Sequence, residues 1–337
     1  MNGLPLAPRA EELSAITHAG FHEEVRPARQ PVVLRGLVAH WPAVTAARAG
    51  DAAMADYLAA CEPRRPVEAL EAPPEEGGRF FYNARMTGFN FERHAVALGD
   101  FMARLLDIAG QDAPPALAVQ SEIIPEIMPR FAKDNPLDLL PGIAPRIWIG
   151  NRIRVAPHYD LKENVAACVA GQRRFTLFPP GAVADLYPGP FELTPAGTPV
   201  SMVDMRNPDL AAHPRFAQAW ASAQVADLEP GDALYIPYGW WHGVESRAPV
   251  SILVNYWWSD AEGDVAGAYD ALLHAVAAYR HLPPEQRAVW KTMLDHYVFE
   301  ENGPPADHLP PHARGLLADA SPALFARLRQ MLRQAVR

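Results

Sequence analysis

Cysteine is almost missing. The 337 residues hold only Cys61 and Cys168, too few for a disulfide framework, and a reducing, cytoplasmic location is expected. Long apolar runs are missing too. Nothing approaches the ~20 residues of a membrane-spanning helix. The opening "MNGLPLAPRAEELSA" lacks the apolar core of a signal peptide. Neither export nor a membrane partner is expected. Positive charge is in deficit: 30 Lys and Arg stand against 39 Asp and Glu, a net −9, with a pI of about 5.7. Chains that bind nucleic acid usually present a basic face, so nucleic acid is not an expected partner. Internal repeats and low-complexity tracts are absent.

What is present is apolar and rich in turns. Half the chain, 49%, is hydrophobic, enough for a sizeable core. The 35 prolines are spread throughout and read as defined turns. Three regions follow. Residues 1–115 read as a mixed α/β region packing on a core, with a short strand from Pro31 to Leu34, a turn at Gly36, a strand pair in "GGRFFYNARMTGFNFERHA" and a helix in "LGDFMARLLDIAG". Residues 116–260 alternate short β-rich runs ("ALAVQ", "PRIWIG", "NVAACVAG", "RRFTLFPP", "DALYIPY", "HGVES", "VSILVNYWW") with turn signals, the texture of a sandwich or barrel. The insert from Pro188 to Val225 is long for a hairpin loop and is expected to carry function or structure of its own. Residues 261–337 are helical. In the last segment Ser321 is a good N-cap and Pro322 suits the first turn. Leu324, Phe325, Leu328, Met331, Leu332 and Val336 form one apolar stripe.

The chemistry centres on "PHYD". Residues i and i+2 of a strand share a face, so His158 and Asp160 converge. An imidazole and a carboxylate are two thirds of the facial triad of non-haem iron. The missing histidine should stand on a later facing strand, and His242 in "YIPYGWWHGVES" is the candidate. A lone H-x-D also arises by chance, with His158 then a core histidine. His22 and Glu24 match the pattern as well, but in helical texture and without a later partner. His213 and His274 read as loop and helix residues.

Four motifs in order, "PHYDLKENVAACVAGQRRFTLFPP", "VDMRNPDLAAHPRF", "LEPGDALYIPYGWWHGVES" and "VNYWW", resemble the cupin-like JmjC proteins, nearest to that family's asparaginyl hydroxylases. The likeness runs from Phe80 to Trp258, strongest over 147–258. It implies a mainly β, double-stranded β-helix (jelly-roll) core with flanking helices. It implies Fe(II)- and 2-oxoglutarate-dependent oxygenase activity: dioxygen is consumed, succinate and CO2 are released, and a substrate C–H bond is hydroxylated. The metal ligands map onto His158, Asp160 and His242. The cosubstrate residues map onto Tyr82, Asn164, Arg173, Asn255 and Trp257, with Trp240 and Trp241 expected to wall the pocket. The family's C-terminal helices imply a homodimer here through helices after residue 261.

Departures limit the transfer. Val155 stands where the hydroxylases have a threonine, and Arg173 where they have a lysine. Lys162 replaces a glutamine, and Pro199 and Val200 replace polar peptide contacts, so asparagine hydroxylation does not carry over. The substrate, a protein side chain or a small molecule, is not legible. Imidazole and carboxylate ligands suit manganese and zinc as well as iron. Two other classes remain: a metal-dependent cupin enzyme that does not use 2-oxoglutarate, which usually carries H-x-H and a glutamate, and a non-catalytic binding module, against which the intact ligands count.

Strand alternation adds one expectation. Arg173 shares a face with Phe175 and Leu177, the more apolar side of its strand, and Arg174 shares the other with Thr176. An inward guanidinium needs an anion, from the protein itself or from the distal carboxylate of 2-oxoglutarate.

Overall fold

The computed structural model describes residues 4–261 and 267–335. Fourteen strands are found among them: β1 (Glu11–Ser14), β2 (Val32–Arg35), β3 (Val67–Ala72), β4 (Arg79–Phe80), β5 (Glu92–Val96), β6 (Ala116–Ile123), β7 (Pro145–Gly150), β8 (Arg154–Tyr159), β9 (Glu163–Ala170), β10 (Arg173–Phe178), β11 (Gln224–Leu228), β12 (Ala233–Ile236), β13 (Trp241–Ser246) and β14 (Ser251–Trp258). They form a nine-stranded sheet, β1-β2-β12-β9-β14-β7-β6-β3-β5, and a five-stranded sheet, β11-β10-β13-β8-β4. From β7 to β14 the chain passes back and forth between the sheets. Segments far apart in sequence thereby become neighbours, as in the cupin fold that the motifs imply.

The inner strands of the large sheet are buried on both faces, and alternation sorts the two sides. On β9, Val165, Ala167 and Val169 join one core with residues of the flanking helices, such as Met54, Leu58 and Phe101. Ala166 and Cys168 point the other way, into a second core between the sheets with Phe175, Leu177, Leu234 and Leu253. The tight turn that carries the chain from β9 in one sheet to β10 in the other depends on Gly171, at φ +73°. A Cβ there would lie 2.7 Å from the Val250 carbonyl oxygen, so other residues meet both strain and collision.

Two expectations need correction, and a third, that the long insert carries structure of its own, is met. The strand pair in "GGRFFYNARMTGFNFERHA" shrinks to a single bridge, Tyr82 to Phe89, while β4 and β5 join different sheets. Residues 1–115 also supply strands to both sheets: β1, β2, β3 and β5 extend the larger and β4 edges the smaller. The long insert carries the helix Phe216–Ala221 and a bridge from Pro188 to Ser201, and ends in β11, which pairs with β10.

The chain divides into two units, the first ending at Ser259 and the second beginning at Asp260. The second holds helices Ala268–Tyr279, Pro284–Tyr297 and Pro322–Ala335. Ser321 caps the last of these, its hydroxyl accepting from the Leu324 amide at 3.2 Å. Val336 of the apolar stripe lies outside the described residues. No described helix is long and apolar enough to cross a membrane.

Candidate metal centre and its cavity

His158 and His242 are separated by 84 residues yet face each other directly in the β8–β13 ladder. With Asp160, just past the end of β8, they place three ligand atoms within 4.8 Å of one another. His242 Nε2 stands 3.6 Å from Asp160 Oδ2. Both rings are turned alike. Nδ1 of His158 lies 3.0 Å from the Ala156 carbonyl, and Nδ1 of His242 lies 3.1 Å from the Trp240 carbonyl. A carbonyl only accepts, so each Nδ1 must carry the proton and each Nε2 keeps its lone pair. Burial, and then the neighbouring His242, pull the His158 pKa down to about 4. Its imidazole is therefore neutral at pH 7, as a ligand must be.

A local irregularity turns His158 inward. Ile153 and Val155 face the cavity, and strict alternation would send His158 to the opposite side. The β8–β13 register shifts between the pair His242–His158 and the pair Val244–Val155. Two residues of β13 therefore span three of β8, a bulge around Ala156 and Pro157. Proline, which cannot donate to a ladder, is tolerated in such a place. Beyond the bulge His158 and Asp160 both line the cavity.

The cavity has a volume of about 340 Å³. Asn164 on β9 and Asn255 and Trp257 on β14 line it. They form one network: Trp257 Nε1 donates to Asp160 Oδ2 at 3.0 Å, Asn164 Nδ2 donates to the same oxygen at 3.4 Å, Asn255 Nδ2 donates to Asn164 Oδ1 at 3.2 Å, and Trp148 Nε1 donates to Asn255 Oδ1 at 2.8 Å. Asn255 is 1% exposed, so each bond replaces one that water can no longer make.

Arg173 also lines the cavity, together with Phe175 and Val155. It is buried, and its Nε has no hydrogen-bond partner. The nearby Cys168 thiol is pushed up to about 12 by burial, so it is a neutral neighbour. Burial lowers Arg173 to about 10, and it stays charged at pH 7. The next residue contrasts with it: Arg174 donates to both Asp227 oxygens, at 2.7 and 2.6 Å. At the rim, Arg93 is paired with Glu68 at 2.7 Å. The donor set thus fits a divalent ion, and the unpartnered guanidinium fits a carboxylate of a bound ligand.

Not every sequence candidate is brought to the cavity. Tyr82 is not in its wall. Its ring packs with Ala156 and Val200, and its hydroxyl is buried without a partner. Trp240 and Trp241 sit in two separate cores and wall nothing. Val200 is core, and Pro195 and Ala196 line the cavity instead of Pro199 and Val200. Lys162 is exposed. Sequence reasoning missed Trp148, although on β7 it faces Leu253 of β14, whose alternation partner is Asn255.

Comparison with known proteins agrees. The model of the cupin-like domain family matches residues 18–264. Lysine-specific demethylase 8 of Danio rerio is 28% identical over 246 residues, covering 71% of this chain and 55% of that protein. Lysine-specific demethylase JMJ31 of Arabidopsis thaliana is 36% identical over 112 residues, 33% of this chain and 20% of that protein. The HSPB1-associated protein 1 homolog of Danio rerio is 34% identical over 134 residues, 39% of this chain and 29% of that protein. The chain therefore spans about half the length of these relatives or less. The X-ray structure of E. coli ycfD, 17% identical, aligns over 96% of this chain and 68% of that one with a TM-score of 0.41. With the family match covering most of the chain and a His-Asp-His cluster that could hold a metal, the chain belongs to the cupin-like, JmjC-type domain family, whose members are Fe(II)- and 2-oxoglutarate-dependent oxygenases and demethylases.

Proposed function

We propose that the protein is an Fe(II)- and 2-oxoglutarate-dependent oxygenase that hydroxylates a C–H bond of a protein side chain or a small molecule, releasing succinate and CO2. His158, Asp160 and His242 would hold the metal. When bound, the metal and 2-oxoglutarate supply activation of dioxygen. The protein's own residues do the rest. The Nε2 atoms of His158 and His242 and the Asp160 carboxylate are the donors that would hold the ion, a set that suits a non-haem iron site. Trp257 and Asn164 hold the carboxylate, and Arg173 receives the distal carboxylate of 2-oxoglutarate through a fork that suits two parallel hydrogen bonds. Val155 offers no hydroxyl, so the arginine carries that contact alone. Phe175, Val155 and Leu253 give the cavity an apolar wall.

The observation that carries this reading is the buried Arg173, unpartnered at Nε in the same cavity as the triad. A buried guanidinium without a counter-charge calls for an anionic ligand, and the distal carboxylate of 2-oxoglutarate supplies one. The relatives named as lysine demethylases make an N-methyl group one candidate for the oxidised carbon. Tyr82 is left out of the proposed site. Succinate release from 2-oxoglutarate by the Fe(II)-loaded protein tests the reading. No succinate from protein that binds metal would favour a cupin without the cosubstrate. Absence of both would favour a binding module.

A homodimer through the C-terminal helices and a cytoplasmic location belong to the same proposal. Trp290, Met293, Tyr297 and Phe299 of the second unit are exposed, more apolar surface than solvent favours. Cys61 and Cys168 are free and buried, as in a reducing compartment. Light scattering should report about 74 kDa, twice the 37.0 kDa chain. A single-chain mass at micromolar concentration would contradict the dimer.

A further inference from the structure

Two asparagines stand between Trp148 and the carboxylate of Asp160. An amide can be turned either way about its last torsion, so a chain of two amides has no direction of its own. An indole N–H can only donate. Trp148 donates to Asn255 Oδ1 at 2.8 Å. That fixes the Asn255 oxygen toward β7 and its NH2 toward β9. The NH2 meets Asn164 Oδ1 at 3.2 Å, and the Asn164 NH2 is left for Asp160 Oδ2 at 3.4 Å. Were Asn164 reversed, an amide oxygen would face the carboxylate oxygen and repel it. Trp148 lines the same cavity and stands edge-on to Trp257, ring centroids 5.7 Å apart at 81°. Trp257 is the other donor to Asp160 Oδ2.

We infer that Trp148 is a positioning residue for the metal centre: its indole N–H anchors the far end of the Asn255–Asn164 relay in the one polarity that the acceptor-only Asp160 carboxylate can use, and so holds Asn164 as a donor to Asp160. The inference rests on the metal-binding reading of the triad. Outer partners of metal ligands typically contribute 10- to 100-fold in affinity. Three bonds lie between Trp148 and the ligand, which places the expected effect near the lower figure.

The test is the affinity of metal-free protein for Co(II), measured by calorimetry without cosubstrate or turnover, alongside the Co(II) visible spectrum and the melting temperature. Trp148→Phe keeps an aromatic ring and removes the N–H. It should weaken Co(II) binding about 10-fold and change the ligand-field bands. In an Asn255→Leu background, where the relay is already cut, Trp148→Phe should change Co(II) affinity no further. Should Trp148→Phe not fold, 3-benzothienylalanine at position 148, with sulfur in place of the N–H, makes the same comparison at nearly constant shape. Unchanged affinity and spectrum in the N–H-less protein, whatever its melting temperature, overturn the inference and leave the metal reading intact. So does an effect of equal size in the Asn255→Leu background. Failure of the wild-type protein to bind Co(II) overturns both.

Discussion

The two ends of the cavity are finished differently. Around Asp160 the polar groups are tied to one another: Trp148, Asn255, Asn164 and Trp257 spend their donors in a single network. Around Arg173 the neighbours are apolar, with Phe175 and Val244 paired one pleat along the strands, and the guanidinium Nε has no partner. The first end holds its geometry by itself. The second is incomplete, because a buried charge without a counter-charge destabilises the fold unless a ligand brings one. The same contrast appears on β10 alone, where Arg174 is paired with Asp227 on the opposite face from Arg173. A cavity that is satisfied at one end and short of an anion at the other fits a small anionic ligand reaching from a metal to an arginine.

The largest effect should come from breaking the first end. His242→Ala or Asp160→Ala leaves two ligands, too few for a facial site, and succinate formation should fall to background. Circular dichroism should stay native. Manganese(II) with 2-oxoglutarate should raise the melting temperature of the wild type but not of the variant. Wild-type iron content in His242→Ala protein would show that the triad is misassigned.

Breaking the second end should act on the cosubstrate alone. A charge-assisted hydrogen bond contributes about 1.5–3 kcal/mol, so Arg173→Met should raise the KM for 2-oxoglutarate by about 10- to 100-fold and leave metal affinity unchanged. Ligand-free Arg173→Met protein should be more stable, by about 1 kcal/mol or more. The sign follows from the depressed pKa. The folded state disfavours the protonated form, so the whole cost is present below pH 10 and fades only as pH rises above it. A structural arginine would give the reverse, a less stable apo protein with an ordinary KM.

Smaller changes sharpen the comparison. Val155→Thr adds a hydroxyl to the apolar wall. A neutral hydrogen bond contributes about 1 kcal/mol, so 2-oxoglutarate affinity should rise about fivefold, measured by competition with a dicarboxylate inhibitor. Arg174→Met should do least. It removes a half-exposed ion pair, costs about 0.5–1 kcal/mol in urea denaturation, and leaves the KM near wild type. Equal KM effects from Arg173→Met and Arg174→Met would dissolve the contrast between the two faces.

Much of this was legible in the sequence. β7, β9, β10, β12, β13 and β14 are β-branched and aromatic runs bounded by turns, and they are found where such runs predict. The convergence of His158, Asp160 and His242 followed from i, i+2 spacing and one facing strand. Less legible was whatever depends on long-range pairing. β1, "EELS", is polar and becomes a strand by lying parallel to β2. β3, "VEALEA", has helical composition and is held extended by β5 and β6. The bulge at Ala156 and Pro157 breaks the alternation on which the reading of faces rests, and only the β13 register reveals it. Trp148 was passed over because "PRIWIG" reads as plain core until its partner strand is known. Tyr82 is assigned by resemblance, and Trp240 and Trp241 by their place just before His242; local packing takes all three to other clusters.

The most direct measurement is an anaerobic crystal structure with Fe(II) and 2-oxoglutarate. The account predicts one metal ion about 2.0–2.2 Å from His158 Nε2, His242 Nε2 and an Asp160 carboxylate oxygen, with the distal carboxylate of 2-oxoglutarate hydrogen-bonded to Arg173. Metal elsewhere, or a distal carboxylate held by another residue while the Arg173 Nε stays bare, would contradict it.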